Sequence, residues 1–468
     1  MRFKEIIDLF KNTFLNETPD NQGEEEASGV PGSRLLSIFQ RSFFRNVSIV
    51  AVGPVFSQAM SIILSPIITR LYDPAEYGAL GVFLSVLSVL VPISNLSYSY
   101  AIIMPEREKD GFRILRFTIL FGLFISLLTL FIIILFNKEI AALLKIESYA
   151  VYLYLLPLTL FFSTSAIAFD QWMVRKKQFK ASSGILVSQS VLSNGALIGL
   201  GYLVPQYASL IGINIFTRGY HMVAAWLVSD KPVVQDSGLA REKLTENIDE
   251  TRRLLREYRD FPFFRTPQIL LSTLTYNLPI MMMTAFSGPA AAGLYSLAHR
   301  VLKLPSIILS ESFSKVFLQR VNETAHSGRS LQHLIIKATL LLVVVGSVPL
   351  GVIILFGPSL FSFVFGMEWF QAGQFARWMA VWVLVSFCGS PAIVAVPFLA
   401  LQKQYLVYEI ISLVLGTLGL ITGFMILNDD ILAVALFACI IAVVTAIWMV
   451  FVIVKSKNLN RYQLKEAE

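Results

Sequence analysis

The sequence predicts an all-α integral membrane protein. About twelve transmembrane helices would form two six-helix lobes related by a parallel internal repeat. Three observations carry that expectation. Hydrophobic residues make up 55% of the chain and gather in runs long enough to span hydrocarbon. Lys and Arg concentrate in alternate loops between those runs. Short motifs of the first half recur in the second half, in the same order.

The chain begins with an arm, residues 1–45. Met1 to Leu15 places Phe3, Ile6, Ile7, Phe10 and Phe14 on one helical face, the pattern of a helix lying on a membrane surface. The arm lacks the basic region and apolar core of a cleavable signal peptide. Asn16 to Ser33 is polar, acidic and rich in Gly and Pro, and reads as a linker. Leu35 to Arg45 is a second amphipathic stretch.

Spans then centre on Ile62, Leu90, Ile125, Leu160, Leu192 and Ile215, forming an N-lobe over 46–229. A connecting loop follows over 230–263. Its Leu244, Ile248, Leu255 and Tyr258 fit an amphipathic helix, and its mixed charges fit a solvated connector. Further spans centre on Leu274, Leu304, Val345, Val385, Gly416 and Ile441, forming a C-lobe over 264–455 with a tail over 456–468.

Basic loops fix the expected orientation. Arg107 to Arg116, Arg175 to Lys180, the connecting loop, Lys315 to Lys337, Lys403 and the tail all fall on one side. The other side holds little beyond Arg70, Lys138 and Lys145. The basic side is therefore expected to be cytoplasmic, with both termini there. Because the basic residues sit in short loops between apolar runs, the net charge of +7 reads as topology and not as a nucleic-acid surface.

The repeat is visible in details. Pro66 precedes Pro74-x-x-x-Gly78, and Pro279 precedes Pro289-x-x-x-Gly293. Ile132 to Phe136 is echoed by Val352 to Phe356, and Lys177-Gln178-Phe179 by Lys403-Gln404-Tyr405. Six spans are an even number, so both copies share one orientation.

Candidate functional residues follow from the cost of polarity in hydrocarbon. The eighth span carries His299, Arg300 and Lys303 at spacings that share a helical face. If that helix enters near Ala291, Arg300 lies about 13 Å deep and Lys303 about 18 Å, in a core about 30 Å thick. Each charge costs roughly 2.5–3.5 kcal/mol there. A wet, cationic cavity for an anionic substrate accounts for them, as does pairing with carboxylates on neighbouring helices.

On the first span Gln58, Ser61, Ser65 and Thr69 form a polar stripe. Arg70 faces a cavity mouth or locks a turn through Asp73 or Glu76. On the seventh span Asn277 joins Gln268, Ser272 and Thr275, between Pro267 and Pro279. Asn95, Tyr98 and Tyr100 are candidates for the basic end of the cavity. Arg218 on the sixth span binds substrate or supports the cavity, and Arg377 snorkels to an interface. Glu311 and Glu409 are candidates for ion coupling, or for salt bridges to the cations. Gly195-x-x-x-Gly199 reads as close helix packing. No catalytic, metal-binding or phosphate-cradling motif is present in the sequence, so a non-enzymatic transporter without a cofactor is expected.

Four stretches resemble a known family: Leu64 to Gly78, Gly293 to Pro305, Arg175 to Phe179 and Phe363 to Trp369. They look like the polysaccharide flippases of the multidrug/oligosaccharidyl-lipid/polysaccharide exporter superfamily, the Wzx-type O-antigen translocases. The resemblance covers about Val47 to Leu459. It implies a bacterial inner-membrane flippase that moves undecaprenyl-pyrophosphate-linked oligosaccharide to the outer leaflet by alternating access, for O-antigen, capsule or exopolysaccharide. It further implies that Arg300 is a cavity cation, although His299 stands where that family would carry an aromatic residue. The implied partners are the lipid-linked oligosaccharide, H+ or Na+ as coupling ion, membrane lipids, and a polysaccharide polymerase or chain-length regulator. A multidrug or organic-cation antiporter of the same superfamily is the alternative, and calls for acidic cavity residues. A membrane glycan polymerase is a third reading, and calls for larger loops opposite the basic side.

Overall fold

The computed structural model describes residues 53–466, apart from 205, 231–243, 303–316, 318–319, 322–330 and 400. The arm, Lys303, Glu311 and the end of the tail lie outside the described residues.

Among the described residues ten helices are long and apolar enough to cross a bilayer, and two further helices stand where the remaining two of the twelve expected spans fall. In the first half these are α1 (Gly53–Leu71), α2 (Pro74–Asn95), α3 (Glu108–Leu143), α4 (Leu156–Arg175), α5 (Phe179–Leu203) and α6 (Tyr207–Val228). A surface helix, α7 (Leu244–Glu257), precedes the second half. That half contains α8 (Thr266–Ser287), α9 (289–302 as described), α10 (Leu331–Phe365), α11 (Phe370–Ala395), α12 (Gln402–Ile421) and α13 (Asp430–Glu466). The last helix continues through the predicted boundary at 455 into the tail. The two further helices are α6, which is more polar, and α9, which is described only in part.

Burial in these helices runs opposite to that of a soluble protein. On α3, Leu120, Phe124, Leu127, Phe131 and Ile134 are exposed, a stripe facing lipid, while Thr118, Gly122 and Ser126 are buried. Small residues let helices approach closely where no hydrophobic force drives them together. The first half packs through α3 on α4, α4 and α5 on α6, and α2 on α4. The second packs through α10 on α11, α11 and α12 on α13, and α8 on α12. Among the described helices, α2 against α8 is the main seam between the halves.

The repeat is visible in helix lengths. The spans Glu108–Leu143 and Leu331–Phe365 have 36 and 35 residues. Glu147–Arg175 and Met367–Ala395 have 29 each, and Phe179–Leu203 and Gln402–Leu427 have 25 and 26. Corresponding tight turns all fall on the side poor in Lys and Arg, here called the basic-poor face.

At that face the two halves meet about a pseudo-two-fold axis. A Cβ on Gly78 would lie 1.7 Å from the carbonyl oxygen of Pro289, and one on Gly293 would lie 1.8 Å from that of Pro74. The sequence echo P-x-x-x-G is thus one contact seen from both sides. Only glycine permits it, because any side chain would drive the helix ends apart.

The basic face is closed differently. Leu254 of α7 is 3% exposed and packs with Tyr98, Ile102, Ile114 and Trp172. Arg113 pairs with Glu250, and the Tyr98 hydroxyl donates to the Leu255 carbonyl at 3.0 Å. The described end of the connector is therefore docked on the first bundle through Leu254, Leu255 and Tyr258. Arg175 donates to the carbonyls of Ile102, Ile103, Glu106 and Arg107, fixing the α2–α3 loop. Thr266 at the start of α8 donates to Ser97 at 2.9 Å, tying the halves together here too.

One packing expectation is corrected. Gly195 and Gly199 have open space where a Cβ would point, so their spacing does not mark a helix contact. Arg377 is exposed, and its guanidinium donates to the carbonyls of Ile354 and Leu355 at 2.9 and 3.2 Å. Pro358 has no N–H to bond the Ile354 carbonyl four residues back, and Arg377 takes that place.

The reciprocal glycine contact makes a prediction. In a background without Cys388 and Cys439, a cysteine at Ala292, now fully buried, is shielded from a membrane-impermeant maleimide. Adding Gly293→Ala parts the helix ends, and labelling of that cysteine is expected to rise several-fold. Unchanged labelling would mean that the glycines do not hold this end shut.

Candidate functional site

The site is built where α9 faces α2 and α8. Arg300 lies eleven residues into α9, about 16 Å from its start, near the middle of a bilayer about 30 Å thick. Its Nη1 donates to the hydroxyl of Tyr77 on α2 at 2.9 Å. Arg300 is half-buried, and no carboxylate among the described residues pairs with it. The guanidinium has five donors, so one phenol leaves it well short of saturation by protein groups.

Tyr77 is itself held. Its ring meets Trp369 edge-on, with centroids 5.8 Å apart, and the Trp369 indole donates to the Thr69 carbonyl at 3.2 Å. The chain of contacts Arg300–Tyr77–Trp369–Thr69 therefore crosses between the halves three times. Its root is the same stretch that carries the glycine contact, P-A-E-Y-G.

His299 sits between two aromatic rings. Its centroid is 6.2 Å from Tyr295 and 6.4 Å from Tyr276. Tyr276 stacks on Trp382 at 5.4 Å. Tyr276 is 42% exposed although protein surrounds it densely, as expected of a wall of an internal space. Arg300 and this aromatic wall together can hold an anionic head by charge and a ring-shaped neighbour by stacking.

The other expected site residues lie elsewhere. Ser61 accepts from Asn194 at 3.3 Å, and Ser57 and Ser190 bond carbonyls across the same α1–α5 seam. Ser65 and Thr69 are buried and bond carbonyls of their own helix. The polar stripe therefore joins helices of the first bundle. Gln58 at its end is half-buried, without a hydrogen bond among the described residues. Arg70 is exposed and makes no ion pair with Asp73 or Glu76; Glu76 accepts the Tyr207 N–H at 3.2 Å.

Arg218 donates to Asn214 and Ser163, each at 2.9 Å, bracing α6 against α4. Asn277 donates to the Thr273 carbonyl of its own helix at 2.8 Å. Asn95 and Tyr98 are buried in packing, so they do not line a cavity. Tyr100 lies under the Arg265 guanidinium, 5.7 Å from it. Glu409 is 7% exposed and accepts from Ser272 at 2.9 Å and from Tyr405. No described cation pairs with it, so the salt-bridge reading finds no partner among the described residues.

Tyr77, Tyr276 and Trp369 were not picked out from the sequence. The one signal for them was that Tyr77 lies inside the repeated P-x-x-x-G stretch.

Comparison with known proteins gives three results. A family model described as polysaccharide biosynthesis protein matches residues 67–374. The succinoglycan biosynthesis transport protein ExoT of Rhizobium meliloti is 21% identical over 418 residues, spanning 87% of this chain and 80% of that one. Among solved structures, an inward-facing multidrug resistance MATE family transporter of the MOP superfamily superposes with a TM-score of 0.66 at 13% identity, over 88% of this chain and 99% of its own. The lipid II flippase MurJ in an inward closed conformation gives 0.61 at 12% identity, over 89% and 90%. A MOP transporter from Pyrococcus furiosus, described by the reverse polarity of its binding pocket, gives 0.59 at 12% identity, over 89% and 95%. The fold is thus that of the MOP superfamily, as expected.

The Arg300–Tyr77 bond is open to a double-mutant cycle. Tyr77→Phe and Arg300→Gln, singly and together, should show a coupling of about 1 kcal/mol in thermal unfolding of the purified protein. Additive effects would show that the two side chains do not hold each other.

Proposed function

The chain belongs to the polysaccharide biosynthesis protein family, and we propose that within it this multi-pass membrane protein is a flippase for a lipid-linked oligosaccharide. The observation that carries the reading is Arg300: a half-buried cation near mid-membrane, held by one phenol and flanked by an aromatic wall. Pyrophosphate is the lipid-linked group that such a cation recognises, and sugars stack on aromatic rings. The transport function named for the succinoglycan relative points the same way.

In this reading the substrate is an undecaprenyl-pyrophosphate oligosaccharide. It moves from the inner to the outer leaflet of a bacterial cytoplasmic membrane and supplies O-antigen, capsule or exopolysaccharide. The protein makes and breaks no covalent bond. Its units are an arm over 1–45, lobes over 46–229 and 264–455, a connector over 230–263 and a tail over 456–468, with both termini cytoplasmic. Lys303 joins Arg300 along the path, and an ion gradient supplies the drive, with Glu311 and Glu409 as candidate sites. The prenyl tail stays in lipid while the head passes between the lobes, which rock about the glycine contact.

The experiment is flipping of a lipid-linked oligosaccharide in proteoliposomes, followed downhill from one leaflet. Arg300→Lys is expected to retain part of the rate, since charge is kept and the planar fork is lost. Arg300→Glu should lower it to background, because a carboxylate repels pyrophosphate. Wild-type rates from well-folded Arg300→Glu protein would overturn the reading.

A further inference from the structure

A second polar constellation lies inside the first bundle, away from Arg300. His221 on α6 is buried among three helices. Its Nδ1 is 2.7 Å from Oε1 of Gln189 on α5. Its Nε2 is 3.0 and 3.1 Å from the two carboxylate oxygens of Asp170 on α4. Both ring nitrogens therefore face oxygen acceptors.

Gln189 Nε2 donates to the Thr217 carbonyl at 3.3 Å, which aims Oε1 at Nδ1. With Gln189 held this way, Nδ1 carries a proton. A proton must then also lie between Nε2 and the Asp170 carboxylate. It sits on the imidazole or on the carboxyl, and either choice satisfies every partner. The trio thus binds one proton more than a neutral imidazole beside a carboxylate. Loss of that proton leaves a single ring N–H to serve both acceptors, and one link between α6 and a neighbouring helix is broken.

Other ionisable groups on the neighbouring elements are engaged elsewhere. Arg218, almost one turn earlier on α6, bonds Asn214 and Ser163. Tyr220 donates to Ser188 on α5. At the end of α4, Arg175 is taken by four carbonyls and Lys176 by Glu108. Lys180 is nine residues from Gln189 along α5, about 13 Å away. On α2, Glu76 bonds the N-terminus of α6, at the opposite end of that helix. Asp170 is therefore the charged group that faces His221.

The imidazole side chain is 9% exposed and that of Asp170 is 34% exposed. Asp170 lies five residues from the end of α4 at Arg175, about 7.5 Å along the helix and so near the basic face. The glycine contact lies at the opposite face.

We propose that Asp170, Gln189 and His221 form a proton-binding site whose occupancy is coupled to substrate movement, with the proton released toward the basic face in this conformation. The proton itself is argued from hydrogen-bond direction alone; the coupling rests on the flippase reading. One proton moving down one pH unit supplies about a tenfold driving factor. No covalent step is involved, since the proton enters and leaves as such.

Two arms test this on the full chain. In nanodiscs, nitrogen NMR of labelled histidine reads Nδ1 directly, and His221→Gln assigns the signal among the four histidines. Nδ1 should carry a proton that wild type loses on alkalinisation. Asp170→Asn should keep it throughout, because the amide donates permanently to Nε2. An Nδ1 without a proton at any pH would overturn the site. So would an unchanging proton in wild type.

In proteoliposomes, an imposed pH difference of one unit should accelerate wild-type flipping. His221→Gln and Asp170→Asn should lose that response while keeping downhill flipping within about twofold of wild type. Variants that respond as wild type does, or a wild type indifferent to the gradient, would overturn the coupling. If wild type moves no lipid-linked sugar downhill, the flippase reading falls and the coupling with it, while the NMR arm still decides the proton site.

Discussion

An ion inside a bilayer must be satisfied by something other than lipid, and this structure is arranged around how each of its ions is satisfied. Arg218 bonds Asn214 and Ser163, and Arg377 bonds two carbonyls, one of them left free by Pro358. Glu409 takes hydroxyls from Ser272 and Tyr405. These groups brace helices. Arg300 differs: among the described residues a single phenol from the other half of the molecule meets a group with five donors. That leaves donors free for water or a ligand, which makes α9 the place where transport chemistry is expected.

The same phenol links chemistry to shape. Tyr77 lies one residue before Gly78, whose bare Cα allows the two halves to touch at the basic-poor face. Trp369 clamps the Tyr77 ring and bonds the backbone at Thr69. Separating the helix ends would move Tyr77 relative to Arg300. A ligand that competes for the guanidinium would weaken a tie across the same seam. In the proposed flippase, one cluster therefore links substrate charge to the state of this end, and no long-range pathway is needed to connect them.

Much of this architecture was legible in the sequence, because hydrocarbon imposes simple rules. Span length, alternation of basic loops and the ordered echo of P-x-x-x-G and its companions located the helices and their repeat. Arg300 was legible because a charge in an apolar run is costly wherever it points. Periodicity gave the face of the polar stripe from Ser61 to Thr69 but could not say which neighbour that face meets, and the neighbour is α5 with its Asn194. Spacing likewise could not tell that Gly195 and Gly199 face open space. Arg70 was placed beside two carboxylates in sequence, yet Glu76 is claimed by the N-terminus of α6. Tyr77, Tyr276 and Trp369 were hidden by abundance, since one more aromatic in a chain of 16 Tyr, 36 Phe and 6 Trp carries no signal until its neighbours are known.

The two halves share a backbone plan but divide the polar tasks unequally. In the second half Arg300 bonds Tyr77 of the first half, and the buried carboxylate, Glu409, accepts from hydroxyls. In the first half, polar groups join α1, α4, α5 and α6 in an internal network that includes Asn194, Arg218 and the His221–Asp170 pair. A lobe braced in this way moves as a unit, because each helix that shifted alone would strand a polar group in low dielectric. In the proposed proton site, removing the proton between His221 and Asp170 breaks one brace, close to the basic end of α4. The duplicated fold supplies the symmetry for rocking, and the unequal charges supply the direction.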